Sequence, residues 1–159
     1  MTSRRRGASA DGGRETWNDP RGGGAGRVEL RVRYAETDQM GVVYYANYPV
    51  WFEVGRAALL RGRGMTYADL ERRGYHLPVS GVRYRLLAPA RYDDPILVET
   101  GVTALRSRAI TFAYRVLREG ALLVEGETDH VCVDRAMRPV RIPDELRRAL
   151  ERPSPDGDR

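Results

Sequence analysis

The stretch Tyr34–Arg56, YAETDQMGVVYYANYPVWFEVGR, places an acid and a glycine directly ahead of a long apolar segment. Asp38 stands three residues before Gly41, and apolar and aromatic residues follow that glycine almost without interruption. An aspartate ahead of a glycine and a helix can do chemistry, or it can simply cap a turn as an Asx residue. The residues on either side of this stretch have to be considered before one interpretation is chosen.

A long helix is predicted to begin near Asn47. Asn47 is a plausible N-cap, and Pro49 suits the first helical turn, where a missing N–H has no cost. Apolar residues then lie on nearly all sides until the glycines Gly62 and Gly64, which favour a helix end. A helix that is apolar almost all round is expected to be wrapped by other structure.

The segments around this helix predict a sheet. Before it, RVELRVRY (27–34) alternates apolar and charged residues, which indicates a half-buried strand. After it come a short helix with Thr66 as its cap, four strand-like runs, and a last short helix that begins after Pro143. The runs cover about 75–88, 95–105, 109–118 and 121–133. This order lacks βαβ alternation, so we predict an α+β fold with an antiparallel sheet curled about one helix.

Composition limits the possible functions. The 159 residues fit one domain at 27–150, with a disordered Gly/Arg-rich tail at 1–26 and a disordered C-terminal tail at 151–159. All 27 basic residues are arginine, which excludes a Schiff-base lysine and a P-loop lysine. One cysteine, Cys132, and no apolar run near 20 residues predict a cytoplasmic protein without a membrane span. Nucleic-acid binding by the basic tail is an alternative, but a plain solubility tail is favoured, so no nucleic-acid partner is predicted.

Four motifs resemble one known family. They are YAETDQMGVVYYANYPVWFEVGR, APARYDDPILVET, ETDHVCVD and RPVRIPDEL, and together they span about residues 27–150. In this order they resemble the hot-dog fold, and more narrowly the 4-hydroxybenzoyl-CoA thioesterase family, including the acyl-CoA thioesterases associated with the Tol–Pal system. The resemblance implies a sheet wrapped around the central helix. It also implies a homodimer or homotetramer in which each active site lies at the dimer interface.

The resemblance implies an acyl-CoA thioesterase that releases free acid and CoA from short- or medium-chain or aromatic acyl-CoA without a metal or cofactor. Such an enzyme needs a base or nucleophile at the acyl carbon and donors for the carbonyl oxygen. The family pattern assigns the first role to Asp38, as nucleophile or general base, and the second to the backbone N–H of Tyr45 at the helix start. Gly41 would let backbone and substrate approach closely. The alternative is a non-catalytic hot-dog protein that binds acyl thioesters.

The side chains of three residues in this stretch have roles that the resemblance does not fix. Some relatives carry histidine at the position of Tyr45, but a phenol with a pKa of about 10 cannot replace an imidazole at neutral pH, so only the backbone N–H is expected to act. Tyr34 matches a tyrosine that orients the acid or a water in some members, or it packs at the end of a strand. Glu53 is a weaker candidate base and is interpreted as a structural partner of Arg56.

The substrate contacts are predicted from the resemblance as well. Arg106 and Arg108 match positions that bind the CoA phosphates, and their spacing puts both on one face if the strand extends that far. The alternative is a pair of solvated turn arginines. The acyl pocket is expected along Val42, Val43 and the segment HLPV (76–79), and the two histidines are interpreted as structural.

Overall fold

The computed structural model describes residues 25–151. Strand β1 (Gly26–Arg31) leads through two short 3-10 helices, Tyr34–Glu36 and Tyr45–Asn47, into the long helix α1. The remaining elements follow in the predicted order: α1 (Tyr48–Gly62), α2 (Tyr67–Arg72), β2 (Val79–Leu86), β3 (Pro95–Leu105), β4 (Ala109–Arg118), β5 (Ala121–Val131) and α3 (Asp144–Glu151).

The five strands form one antiparallel sheet in the order β1-β3-β4-β5-β2. Helix α1 packs on one face of this sheet, with contacts to β1, β3 and β4. The predicted α+β architecture, an antiparallel sheet around one long helix, is therefore confirmed. Strands β1 and β2 lie at opposite edges of the sheet. In the chain, β1 precedes helix α1 and β2 follows it.

Strand β1 shows the predicted alternation but ends earlier than predicted. Its burial alternates along Gly26–Arg31, and Tyr34 lies beyond it in a 3-10 helix, where it is exposed. The reason lies in the loop before β3. Val32 leaves the β1–β3 ladder: its N–H donates to Asp94 O at 3.1 Å, and its carbonyl accepts the Asp93 N–H at 3.0 Å.

Helix α1 forms the core with its aromatic residues. Phe52 is fully buried and stacks on Tyr114 with ring centroids 4.3 Å apart. Gly55 lets the helix lie close to the sheet, because a Cβ at that position would be 2.3 Å from Thr100 Oγ1. Asn47 occupies the N-cap position, yet its side chain makes no cap hydrogen bond. The predicted cap is thus right in position and wrong in its side-chain contact.

Helix α2 begins as predicted. Thr66 and Asp69 form a reciprocal capping box, in which each side chain accepts the other residue's backbone N–H. The predicted tails lie almost entirely outside the described residues and stay a prediction. Gly26 belongs to β1 and Glu151 to α3, one residue inside each predicted tail.

Candidate active site

The chain folds back on itself at Asp38. The Asp38 N–H donates to Val42 O at 2.9 Å, and the Gly41 N–H donates to Asp38 O at 2.9 Å. The two limbs of this hairpin meet again where the Tyr44 N–H donates to Glu36 O at 2.9 Å. Gly41 has a φ of 77°, a conformation that side chains rarely adopt, so the turn requires glycine here.

The two oxygens of the Asp38 carboxylate have different surroundings. Oδ1 accepts the Met40 N–H at 2.8 Å, which is the bond of an Asx turn. Oδ2 accepts no hydrogen bond from any residue between 25 and 151, and the side chain is half-buried. The carboxylate therefore does cap its turn, as the alternative interpretation has it. A catalytic role is compatible with this cap, because each role uses a different oxygen.

The second limb of the hairpin ends in backbone N–H groups without acceptors. The 3-10 helix Tyr45–Asn47 runs directly into α1. Within the part of the chain that the structure describes, the N–H groups of Tyr45 and Ala46 donate to no acceptor, whereas the Asn47 N–H donates to Tyr44 O at 2.9 Å. Such N–H groups at a helix start carry partial positive charge and suit a negatively charged oxygen.

Three tyrosines lie around this helix start. The Tyr84 hydroxyl on β2 donates to Tyr45 O at 2.9 Å, and the rings of Tyr44 and Tyr45 are 4.8 Å apart. The hydrogen bond with the Tyr45 hydroxyl, followed by the nearby charges, raises the pKa of Tyr44. Burial is the main cause that raises the pKa of Tyr84. Because an ordinary phenol is already neutral at pH 7, these two remain protonated there and cannot act as bases.

Tyr34 lies at the rim rather than beside the acid. Its side chain is 78% exposed, and its ring packs edge-on against Tyr92 with centroids 5.7 Å apart. Its hydroxyl makes no hydrogen bond to Asp38 in residues 25–151. The role predicted for Tyr34, to orient Asp38 or a water, gains no contact here and stays a prediction.

The sequence did not predict a functional role for Glu36. Its carboxylate is 5% exposed, and it accepts the Arg33 N–H at 2.8 Å and the Trp51 indole N–H at 3.0 Å. Burial pushes the pKa of Glu36 upward, but these hydrogen bonds and the Arg33 guanidinium outweigh burial and lower it. No spacing rule connects an acid to a tryptophan 15 residues later, so only the fold reveals the pair.

Arg106 and Arg108 lie in the turn between β3 and β4, and both are exposed. Strand β3 ends at Leu105, so it does not extend far enough to put both arginines on one strand face. The turn is held by main-chain contacts: its Ser107 O accepts the Ile142 N–H at 2.9 Å. Their predicted contact with CoA phosphates therefore depends on the turn and not on strand alternation.

A second group of arginines lies next to this turn. A cavity of about 580 Å³ is lined in part by the arginines Arg73, Arg135, Arg138 and Arg141. The RPVRIPDEL motif contains Arg138 and Arg141. These two closely spaced arginines were the available sequence signal for this basic region. Asp134 also lines the cavity and offsets part of the charge.

His130 belongs to a buried hydrogen-bonded chain away from Asp38. Its Nδ1 lies 2.9 Å from Leu77 O, and its Nε2 lies 2.8 Å from Thr128 Oγ1. The chain continues to the Tyr114 hydroxyl at 2.6 Å and to Arg56 Nη1 at 3.0 Å. Burial lowers the pKa of His130 to about 4, so the ring is neutral at pH 7. A carbonyl can only accept, so Nδ1 carries the proton.

Arg56 does not pair with Glu53, which corrects the sequence interpretation. Its guanidinium is buried and donates to the hydroxyls of Tyr114 and Tyr67, at 3.0 and 3.3 Å. Glu53 is exposed and makes no ion pair within residues 25–151. The spacing of three residues allowed the pair, but the turn of the helix directs one side chain into the core.

Part of the predicted acyl pocket lies at a cavity beside α2. His76, Leu77 and Pro78 line a cavity of about 280 Å³ beside α2, which neither Val42 nor Val43 lines. Among residues 25–151, no three His, Cys, Asp or Glu side chains come together as a metal-binding group. In the same part of the chain, no helix is both long and apolar enough to span a membrane.

Comparisons with known proteins agree with the fold. A family model described as the thioesterase-like superfamily matches residues 32–150. The chain is 34% identical to the acyl-CoA thioester hydrolase YbgC of Escherichia coli over 119 residues. The matched segment covers 74% of this chain and 89% of YbgC. Acyl-CoA thioesterase YbgC of Haemophilus influenzae is 34% identical over 123 residues, with 76% and 90% covered. The solved DHNA-CoA thioesterase of Staphylococcus aureus has a TM-score of 0.76 at 31% identity, with 79% and 87% covered.

Proposed function

The chain belongs to the thioesterase-like superfamily, within the 4-hydroxybenzoyl-CoA thioesterase family of hot-dog proteins, and we propose that it hydrolyses short- or medium-chain or aromatic acyl-CoA through Asp38. Membership makes it a thioester hydrolase that acts on acyl-CoA; the acyl group and the residue roles are the proposal. The observation that carries it is a pair of groups without a hydrogen-bond partner among residues 25–151, Asp38 Oδ2 on one limb of the hairpin and the Tyr45 N–H on the other.

Asp38 has two routes to the same products. In the first, Oδ2 attacks the thioester carbon, CoA leaves as the thiolate, and water hydrolyses the resulting anhydride to regenerate the carboxylate. In the second, Oδ2 takes a proton from a water that attacks the same carbon and then returns this proton to the departing sulfur, so CoA leaves as the thiol and the carboxylate is regenerated. Both routes release the free acid and CoA, and the choice between them stays open.

The helix start stabilises the charge that develops on the carbonyl oxygen. In either route the carbon becomes tetrahedral and its oxygen becomes negative, so the Tyr45 N–H, with Ala46 beside it, would donate to that oxygen. Removal of one such donor costs on the order of 3–4 kcal/mol in other hydrolases. The Tyr45 ring packs against the ring of Tyr44, with centroids 4.8 Å apart, and we assign its hydroxyl no part in this step.

A panel of acyl-CoA thioesters tests the proposed function. We expect release of free thiol from at least one short-chain, medium-chain or aromatic member, detected with a thiol-reactive dye. The alternative, a non-catalytic acyl-thioester-binding protein, predicts tight binding of the same compounds without thiol release. A cytoplasmic location, expected from the sequence, stays a prediction.

We also propose that the exposed edge of the sheet pairs with a second copy of this chain. The edge strand β2 carries exposed apolar side chains, Val79, Val82 and Leu86, at 47%, 46% and 53% exposure. A free edge with apolar side chains favours strand addition, and symmetric dimers do this with antiparallel copies of the same strand. A homodimer built this way is the proposal, and further assembly to a homotetramer is left open.

Charge at the centre of this edge is expected to separate the dimer. Val82→Asp would bury a carboxylate between the paired strands, so we expect a monomer by analytical ultracentrifugation and a loss of thioesterase activity. Met137→Asp is the matched control, because Met137 is 61% exposed in the loop between β5 and α3, and it should leave the mass unchanged. A Val82→Asp protein that remains a dimer would contradict β2 pairing.

Antiparallel pairing brings the Arg106 turn of one protomer towards the hairpin of its partner. The hydrogen bond from Thr111 is the main cause that lowers the pKa of Asp129, followed by the contacts with Arg83, and the charge of Arg106 also contributes. Asp129 is paired with Gly81 near the start of β2, whereas Tyr84 lies farther along the strand. The start of one strand lies beside the end of the other in an antiparallel pair. CoA phosphates at Arg106 and Arg108 would thus point the thioester at the partner's active site.

Arg106→Ala is expected to raise the KM for acyl-CoA by at least about 10-fold, because a charge-assisted hydrogen bond contributes roughly 1.5–3 kcal/mol. A small thioester that lacks the nucleotide should show no change in KM. Arg31→Ala is the control for the loss of one charge, since Arg31 is exposed and pairs with Asp93. Initial-rate kinetics measure KM for both substrates. Equal increases of KM for both would contradict phosphate binding by Arg106.

A further inference from the structure

Glu36 connects the two limbs of the Asp38 hairpin with helix α1. Its buried carboxylate accepts hydrogen bonds from the backbone N–H and the guanidinium of Arg33 and from the indole of Trp51 on α1. Its backbone carbonyl accepts the Tyr44 N–H at 2.9 Å and the Asn47 side-chain N–H at 2.9 Å. One residue thus joins the first limb of the hairpin, the second limb and the long helix.

These contacts determine the separation of the two groups that the proposed function uses. Asp38 is two residues after Glu36 on the first limb. The Tyr45 N–H belongs to the peptide group that contains the Tyr44 carbonyl, and this carbonyl is held by the Asn47 N–H at 2.9 Å. The side-chain N–H of Asn47 in turn donates to the backbone carbonyl of Glu36. If the contacts of Glu36 are lost, the Asp38 turn can shift relative to the helix start.

We propose that Glu36 is a positioning residue, which holds the Asp38 carboxylate and the Tyr45 N–H at the separation that a thioester carbonyl requires. The inference rests on the proposed function. It does not make Glu36 a catalytic residue, because its carboxylate is directed into the protein and contacts Trp51 instead of the site. Misplacement of reacting groups by about 1 Å costs on the order of 100-fold in rate, so a positioning residue need not touch the substrate.

Glu36→Gln tests the assignment. The amide keeps one acceptor but presents an N–H₂ group to a neighbouring donor, so at least one of the three hydrogen bonds of the carboxylate is lost. We expect kcat for acyl-CoA to fall by about 10- to 100-fold while KM changes little, because substrate binding uses other residues. Asn47→Ala is the second variant. It removes only the contact to the Glu36 carbonyl, leaves the core intact, and should lower kcat in the same way.

Glu119→Gln is the matched control, because it makes the same substitution at an exposed glutamate in the turn between β4 and β5, outside the proposed site. We expect near-wild-type kcat for this variant. Leu146→Ala, in α3, controls for lost stability at a fully buried position away from the site. This variant should unfold at a lower temperature than the wild-type protein but keep its kcat at 25 °C. Unchanged kcat in both Glu36→Gln and Asn47→Ala, with an inactive Asp38→Asn, would overturn the positioning role and leave the proposed function standing.

A fluorescence titration tests the contact without any activity assay. Trp51 becomes the only tryptophan in a Trp17→Phe background. Protonation of Glu36 changes the charge next to the indole, so Trp51 emission should titrate below the ordinary glutamate value of 4.5, with Arg33 as the charged neighbour. The Glu36→Gln variant should lose this titration. If it keeps the transition, Glu36 is not the group that contacts Trp51, and the positioning role fails.

Discussion

Replacing Asp38 with asparagine is expected to lower kcat by at least ~100-fold while the fold is kept. Asparagine retains a carbonyl oxygen that can accept the Met40 N–H, so the Asx turn survives the substitution. What is lost is the charge and basicity of Oδ2, the oxygen that has no partner in the described residues. Thiol release from the best acyl-CoA of the panel measures the effect, and circular dichroism checks the fold.

The matched control is Asp69→Asn. Asp69 is also an aspartate that caps a local structure, since its Oδ2 accepts the Thr66 N–H at 3.0 Å at the start of α2. It lies outside the proposed site, so wild-type kcat is expected for this variant. If Asp38→Asn turns over acyl-CoA at a near-wild-type rate, the turn-capping role is the whole role of Asp38, and the proposed mechanism is wrong.

The second large effect is expected on stability at Gly55. A methyl group there would lie 2.3 Å from Thr100 Oγ1 and 3.0 Å from Val98 Cγ1. Thr100 is fully buried on β3, so either its side chain or the helix must move. Gly55→Ala should therefore lower the free energy of unfolding by about 1–3 kcal/mol, the usual cost of overpacking. Urea unfolding at one fixed protein concentration measures it, because an oligomer's stability depends on concentration.

The same helix offers the control. A Cβ at Gly62 would meet nothing within 4 Å, so Gly62→Ala should be neutral or stabilising by up to about 1 kcal/mol. Thr100→Ala should restore most of the stability of Gly55→Ala, because it removes the contacting oxygen. That hydroxyl has no hydrogen-bond partner in the described structure, so its removal alone has little cost. A Gly55→Ala protein as stable as Gly62→Ala would contradict the close packing of α1 on β3.

Local patterns predicted most of the architecture. Alternation with a period of two and helical spacing depend on neighbours in the chain, so the ranges of β3 and β4 and the Thr66 cap agree with the structure. Strand β1 was predicted too long, because its end depends on a contact of Val32 with the distant Asp93 turn. Alternation in sequence continues past that point, whereas the strand ladder does not.

Part of the candidate site was predictable and part was not. Asp38, Gly41 and Tyr45 belong to one short motif, and the structure brings them to one hairpin. The partner of Arg56 was predicted wrongly, since helical spacing offered Glu53 and the core offered Tyr114. In the case of Arg106 and Arg108, the prediction of one shared strand face fails because β3 ends at Leu105.

The sequence by itself determined the fold class, the family and the acid that the proposed chemistry needs, because each of these is written in short-range spacing and residue type. Only the tertiary structure decided that Glu36 is buried against Trp51, and that, among the described residues, one oxygen of the Asp38 carboxylate has no hydrogen-bond partner and β2 is an edge strand. The physical reason is that hydrogen bonds and burial depend on distance in space. Residues far apart in the chain become neighbours only after the helix and the sheet have packed.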